Sequence, residues 1–281
     1  MATISIEQVL DKPTLDYLVG PGYEDERVAD WPLMDIRWPV TISLLYLLGI
    51  PVLTRVMRDR EPMQLKGVAA VHNAILFFLS LYMVTETLHQ AYRNFGWGRR
   101  FSLWCNPNDP APFTDTSASG YRLARVLWIH YVSKAYEFGD TLIMILKKNN
   151  RQVSFLHVYH HATTFFPVWF LVVKYGPGGE AYFCCALNSF IHVLMYGYYF
   201  FASVGIKLNF IKHQITRAQM LQFLSFIAQS CFCLFVKDCY QPRLSFYLLL
   251  VQCVIFFTLF FNFYIKNYRA KADSKAKTKA Q

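Results

Sequence analysis

Three histidines fall within five residues, in the run His157-Val-Tyr-His160-His161. On a helix the i, i+3, i+4 spacing puts all three on one face, stacked within a turn. The stretch around them is apolar, and ionisable groups in such a stretch usually face a cavity or a partner. Packing alone does not account for three imidazoles at one place. Two chemistries fit. One is metal binding, because imidazole is the commonest metal ligand. The other is nucleophilic and acid–base, in which a neutral imidazole attacks a thioester and passes the acyl group on. Three further segments carry polar groups in apolar surroundings. Lys134, Glu137 and Asp140 recur at i, i+3, i+6 in KAYEFGDT, a charged stripe that needs a polar cavity or the histidines themselves. Asn188 and His192 stand one turn apart in NSFIHVLMYGYY, followed by Tyr196, Tyr198 and Tyr199. Thr216, Gln219 and Gln222 form a second polar stripe in TRAQMLQF, although Gln and Tyr also serve as hydrogen-bonding glue between helices. His72 and His130, each alone, read as satisfied core residues.

The elements that must hold these residues are membrane helices. Of the 281 residues 54% are hydrophobic and 16% charged, against roughly 25% charged in a soluble domain. A helix needs about 20 mostly apolar residues to cross a bilayer. Seven windows meet that need: 38–57, 66–91, 121–146, 153–174, 179–203, 215–236 and 244–266. The fold class expected is all-α and integral to the membrane. Four of the spans bring their polar residues to one chamber. The first 37 residues are acidic and lack the apolar core of a cleavable signal, so the first span is expected to act as its own insertion signal.

Seven spans place the two termini on opposite sides. The loops 1–2, 3–4 and 5–6 and the tail hold more Lys and Arg than the opposite set, which makes the C-terminus cytosolic. The domains expected are a lumenal segment 1–37, the seven-span body 38–266 and a basic cytosolic tail 267–281. The formal charge of +10 is spread over membrane-flanking loops, which excludes a nucleic-acid patch. Cys105 and Cys239 each fall in a loop assigned to the non-cytosolic side, where two thiols can pair in an oxidising lumen. The tail ends Lys277-Thr-Lys279-Ala-Gln, the form of a di-lysine retrieval signal, a receptor-read address rather than an anchor. A generic basic tail attracted to anionic lipid is the alternative.

The His-x-x-His-His run resembles one box of the iron-binding membrane desaturases and hydroxylases, but those enzymes gather several such boxes. A seven-helix receptor or transporter is the other rival. The segments KAYEFGDT, KKNNRQVSFLHVYHH, NSFIHVLMYGYY and ITRAQMLQF, in this order and spacing, resemble the fatty acid elongases from about Asp30 onward. That resemblance implies a condensing enzyme of the endoplasmic reticulum with acyl-CoA and malonyl-CoA as substrates and no cofactor or metal. The products are 3-oxoacyl-CoA, CO2 and CoA. It implies seven transmembrane helices, six of them forming a barrel around a substrate tunnel. It implies His160 as the acyl-accepting nucleophile, His192 as its partner, and His157, His161, Asn188, Glu137 and Asp140 as orienting or proton-relay residues. Lys134, Lys147, Lys148, Asn150, Gln152 and Tyr198 match positions that hold CoA. His130 departs from the family pattern. Tyr159 and the following ATTF resemble members that elongate polyunsaturated chains. Partners implied are membrane lipid, the other enzymes of the elongation cycle and a second copy of the chain.

Overall fold

In hydrocarbon a backbone can satisfy its own polar groups only as a helix or a closed barrel, and this chain takes the first course. The computed structural model describes residues 26–96, 101–102, 105–107, 112–170, 178–206, 208–236, 239 and 243–269. Among the described residues there are helices and no strands. In chain order they are α1 (Arg37–Met57), α2 (Lys66–Phe95), α3 (Ser119–Tyr136), α4 (Phe138–Leu146), α5 (Phe155–Trp169), α6 (Ala181–Ser203), α7 (Asn209–Phe235) and α8 (Arg243–Tyr264).

Five helices are long and apolar enough to cross a membrane: Arg37–Met57, Lys66–Phe95, Ala181–Ser203, Phe210–Phe235 and Arg243–Asn267. Only 11% of the apolar window of α1 is buried inside the protein. Its exposed Leu44, Leu45, Leu48 and Val52 therefore need hydrocarbon as their solvent. The expected third span is two helices, α3 and α4, broken at Glu137. There Asp140 N–H bonds back three residues to the Glu137 carbonyl instead of the four of a continuing α-helix. The expected fourth span is described as α5, 15 residues long, with 171–177 outside the described residues. The sixth starts at Asn209, six residues before its apolar window, because backbone hydrogen bonds and not hydropathy set where a helix begins.

The packing order differs from the chain order. α2 packs on α6, α6 on α7, α7 on α8, α8 on α5, α5 on α3, and α3 back on α2. The main contacts of α1 are with α4 and α5. The contacts of Lys134 with Asn188 and of Glu137 with His192 advance together along the chain, so α3 and α6 run in the same direction. One core, centred on Leu123, Leu127, Tyr131, Phe165 and Trp169, fills the space between α2, α3, α5 and α6. A second, of Phe223, Phe226, Cys253 and Phe256, joins α7 to α8.

Residues 26–36 close one end of the bundle. The carbonyls of Pro32, Leu33 and Met34 accept hydrogen bonds from Trp128 Nε1, Tyr131 OH and Trp169 Nε1, each at 2.9 Å. Leu33 has φ 66°, a left-handed conformation uncommon for any residue but glycine, and these donors hold it there. At the same end a disulfide joins Cys105 to Cys239, tying the loop after α2 to the loop after α7.

Candidate active site

The site is organised by the break between α3 and α4. Lys134, in the last turn of α3, donates from Nζ to Glu137 Oε1 (2.7 Å) and to Asn188 Oδ1 on α6 (3.0 Å). His192 on α6 brings Nδ1 to 3.3 Å from the same Glu137 oxygen. Lys134, Glu137 and His192 are all at least 95% buried. A buried carboxylate has to be neutralised by a partner, and the ammonium does that here. The sequence reading put Lys134 with the CoA-holding group, but it stands deep among the acid–base residues, because the buried Glu137 and Asn188 take up its ammonium.

The three box histidines touch one another but meet different neighbours. His157 and His161, four residues apart, stack at 4.5 Å between ring centroids. His157 Nε2 hydrogen-bonds Thr141 Oγ1 on α4 at 2.7 Å, and Tyr46 OH on α1 meets the same oxygen at 3.0 Å. His161 packs between Tyr46 and Phe138. His160 packs against Phe256 on α8 at 5.0 Å. The three share one side of α5, with His160 and His161 meeting edge to face at 5.4 Å; because neighbours on an α-helix are turned by about 100°, His160 stands at the edge of that face next to α8 and His161 at the edge next to α1 and α4. Ser154 caps α5, its Oγ accepting from His157 N–H at 3.3 Å, and so fixes where the first histidine stands.

Asp140 does not join the box. Its Oδ1 is bonded by His72 Nε2 on α2 (3.0 Å) and its Oδ2 accepts from Tyr196 OH on α6 (2.8 Å). Tyr196 in turn meets His192 edge to face, 5.5 Å between ring centroids. Gly139 makes room for this arrangement, since a Cβ there would lie 2.7 Å from His72 Cε1. The break between α3 and α4 thus sends Glu137 and Asp140 to different partners, where an unbroken helix would align them in one stripe.

A cavity of about 110 Å³ runs between α3, α5, α6, α7 and α8. At one end it is lined by His160, Lys134, Asn188 and Gln222. Its walls are Phe223, Phe226, Phe246, Leu249 and Phe256, and at the other end stands Glu180. Glu180 is closed off by hydrogen bonds: Oε2 accepts from Asn106 N (3.0 Å) and Nδ2 (2.7 Å), and Oε1 from Gln229 Nε2 (2.7 Å). Cys184 and Cys185 also line the cavity, but Cys184 Sγ donates to Gln229 Oε1 (3.7 Å) and Cys185 Sγ meets Thr87 Oγ1 (3.4 Å). The arrangement suits acyl chemistry: an imidazole opens onto an apolar cavity, and a second imidazole, on α6, stands 3.3 Å from a neutralised carboxylate.

Lys147, Lys148, Asn150 and Gln152 lie on the turn between α4 and α5, away from this cavity. Lys148 takes a left-handed conformation (φ 56°) and donates from Nζ to the Arg58 carbonyl at 3.0 Å, tying the ends of α4 and α1 together. Lys148 and Asn150 line a second cavity of about 600 Å³ with Arg55 and Arg58. Tyr198 is half-buried on α6 beside Tyr199. Of the second polar stripe only Gln222 reaches the first cavity. Lys277 and Lys279 lie outside the described residues. Sequence reasoning missed Thr141, Gly139, Glu180 and Gln229, and the pairing of His72. For Glu180 the signal was present: an acidic residue at the start of an apolar span needs partners. Among the described residues no group of three or more His, Cys, Asp and Glu is placed to hold a metal ion.

The chain matches the ELO: GNS1/SUR4 family over residues 31–276. It is 38% identical over 255 residues to very long chain fatty acid elongase 4 of Mus musculus, covering 89% of this chain and 78% of that protein. To very long chain fatty acid elongase 5 of Homo sapiens it is 38% identical over 263 residues, 92% and 83% of the two chains. The corresponding protein of Xenopus tropicalis is 36% identical over 276 residues, 96% and 89%.

Proposed function

This chain belongs to the GNS1/SUR4 family of fatty acid elongases, and on that premise we propose that it condenses a long-chain acyl-CoA with malonyl-CoA. The carrying observation is that His160 alone of the box histidines lines the apolar cavity. A ring nitrogen of His160 attacks the thioester carbonyl, the C–S bond breaks, and CoA leaves as the thiolate, which takes up a proton. The oxyanion formed on the way is stabilised by His192 or Asn188. Malonyl-CoA then loses CO2, and its enolate carbon attacks the acyl-imidazole carbonyl. The C–N bond breaks, His160 is restored, and a 3-oxoacyl-CoA two carbons longer is released. The apolar walls exclude water that would hydrolyse the acyl-enzyme. No cofactor or metal enters this scheme.

His157, bonded to Thr141, and His161, packed against it, orient the box, and Glu137 and Asp140 hold His192 and Tyr196. Lys147, Lys148, Asn150, Gln152 and Tyr198 receive the CoA phosphates and pantetheine arm, a role that the basic second cavity supports. Phosphates favour such charge-assisted donors. The packing order of α2, α6, α7, α8, α5 and α3 supports a barrel closed around the tunnel, within a seven-span fold. The reading extends to polyunsaturated chains, to the endoplasmic reticulum with the N-terminus lumenal and the C-terminus cytosolic, to a homodimer, and to partner enzymes of the elongation cycle.

The test is incubation with acyl-CoA alone. Free CoA is expected once per site, with an acyl mass on the peptide containing His160. His160→Ala is expected to lose the adduct, and a Cys184→Ser, Cys185→Ser variant to keep it. Release of CoA only when malonyl-CoA is also present would make the reaction a direct ternary condensation with His160 as a base.

A further inference from the structure

The second cavity, between α1 and α4, is lined on the α1 side by Pro51, Thr54, Arg55 and Arg58. These positions stand at i, i+3, i+4 and i+7, which is one face of a helix. Ile145, Lys148 and Asn150 line it from α4 and the turn that follows. Met57 and Ile145 are buried beneath it, while Arg55 and Arg58 are exposed at its rim. Lys148 is held at the rim by its bond to the Arg58 carbonyl, and an ammonium keeps two further N–H groups to donate. Met63 N–H, bonded to the Leu146 carbonyl at 3.0 Å, ties the chain after α1 to the end of α4, so the two walls are fixed to each other. Among the described residues no acidic side chain lines the cavity. Asp59 comes within 3.6 Å of Arg58 Nε, but the two side chains are 83% and 72% exposed, and a wet pair of this kind contributes little.

Three cations over an apolar floor match a phosphate group, and the surroundings select one that carries hydrocarbon. Only 11% of the apolar window of α1 is buried inside the protein, and Leu44, Leu45, Leu48 and Val52 are exposed. Leu48, Val52 and Arg55 follow one another at i, i+4 and i+7, so this lipid-facing stripe runs directly into the rim of the cavity. From Pro51 to Arg58 the helix rises about 10 Å at 1.5 Å per residue. That is enough to lead out of the hydrocarbon and across a headgroup layer roughly 5–8 Å deep. A lipid whose tail lies on the stripe brings its phosphate to Arg55, whereas a soluble phosphate leaves the stripe unused. Phosphatidylcholine offers the same phosphate but adds a quaternary ammonium, which three like charges repel. Basic pockets between membrane helices favour anionic headgroups for this reason.

We propose that the cavity between α1 and α4 binds the phosphate of an anionic glycerophospholipid, with Arg55, Arg58 and Lys148 as its cationic donors. The condensation reading neither includes this site nor requires it. The phosphates of CoA, assigned above to Lys148 and Asn150 among others, share the same chemistry, so the test separates the two sources. The full chain in detergent is titrated with phosphatidic acid and with phosphatidylcholine of the same acyl chains, and bound lipid is counted by native mass spectrometry. Phosphatidic acid is expected to be retained in preference to phosphatidylcholine. Arg55→Gln with Arg58→Gln alters two exposed side chains, so the fold is kept, and is expected to weaken that retention roughly thirtyfold, the effect of two lost cation contacts. Lys212→Gln with Lys266→Gln removes the same charge from exposed positions on other helices at the same end of the bundle, and is expected to leave retention nearly unchanged. Equal weakening by the two pairs would reduce the effect to diffuse attraction and overturn the proposal. Equal retention of the two lipids by the unaltered protein overturns it as well. Phosphatidic acid is expected to stay bound in excess CoA; its displacement by CoA would hand the cavity to the substrate, which overturns the lipid assignment and leaves the proposed function standing.

Discussion

Adding one methyl group at Gly139 tests whether the His72–Asp140 contact is built on the space that this glycine leaves. The new Cβ would sit 2.7 Å from His72 Cε1, inside any normal carbon contact, so the imidazole has to move. His72 is buried and packed against Tyr136 at 5.0 Å, which leaves it little room. Overpacking of this kind costs about 1–3 kcal/mol. Displacing His72 also weakens its hydrogen bond to the Asp140 carboxylate, and bonds to charged groups contribute about 1.5–3 kcal/mol. Against this, Gly→Ala within a helix gains up to about 1 kcal/mol. The net expectation for Gly139→Ala is a loss of roughly 2–4 kcal/mol on these terms. In a His72→Ala background the clash and the bond are both gone, and the same change should be neutral or stabilising by up to about 1 kcal/mol. Thermal unfolding in one detergent at one heating rate, for the four proteins of this double-mutant cycle, measures the coupling. If Gly139→Ala costs the same in both backgrounds, the glycine is not there for His72 and the argument fails.

Lys134→Met should leave the buried Glu137 carboxylate without its cation. A stability loss of about 3–5 kcal/mol is expected, largely relieved in a Lys134→Met, Glu137→Gln double variant, by the same unfolding assay. Gln229→Leu removes one hydrogen-bond donor from the buried Glu180 carboxylate and should cost about 1–3 kcal/mol, again read by thermal unfolding; no loss would mean that water replaces the amide. Opening the Cys105–Cys239 disulfide, which spans 134 residues, should destabilise by at most about 5 kcal/mol in the chain-entropy model. Confinement of the unfolded chain in the membrane lowers that bound, and unfolding midpoints with and without reductant measure it. Changing Lys277 and Lys279 to Ser should release the protein from the reticulum to later compartments, as seen by microscopy; strict retention would reduce the tail to a lipid-attracted basic segment.

Hydropathy made most of the spans legible because a bilayer imposes one length and one polarity on any helix crossing it. The histidine box was legible for the same reason: a solvent that penalises polar groups makes them conspicuous. What depends on the direction of each side chain was not. Glu137 and Asp140 looked like one stripe because a single helix was assumed, and the break at Glu137 turns them to α6 and α2 separately. His72 looked solitary because its partner is 68 residues away, and nothing local in either segment announces the pairing. Gly139 carried no signal at all, since its role is the absence of a Cβ opposite a residue on another helix. Glu180 was readable as an oddity, but Asn106 and Gln229 as its partners were not.

The latch made by residues 26–36 has a consequence for how the protein is assembled. Its three carbonyls wait for donors that lie 96, 98 and 135 residues further along the chain. At a synthesis rate of about 5–20 residues per second, the last donor, Trp169, emerges roughly 7–27 s after Met34. During that interval α1 is already in the bilayer with its leading segment undocked, and the end of the bundle stays open. The protein therefore cannot be finished from its N-terminus forward. A ribosome that stalls before α5 leaves a nascent chain with an unsealed end, available to quality-control machinery that inspects unfinished membrane proteins.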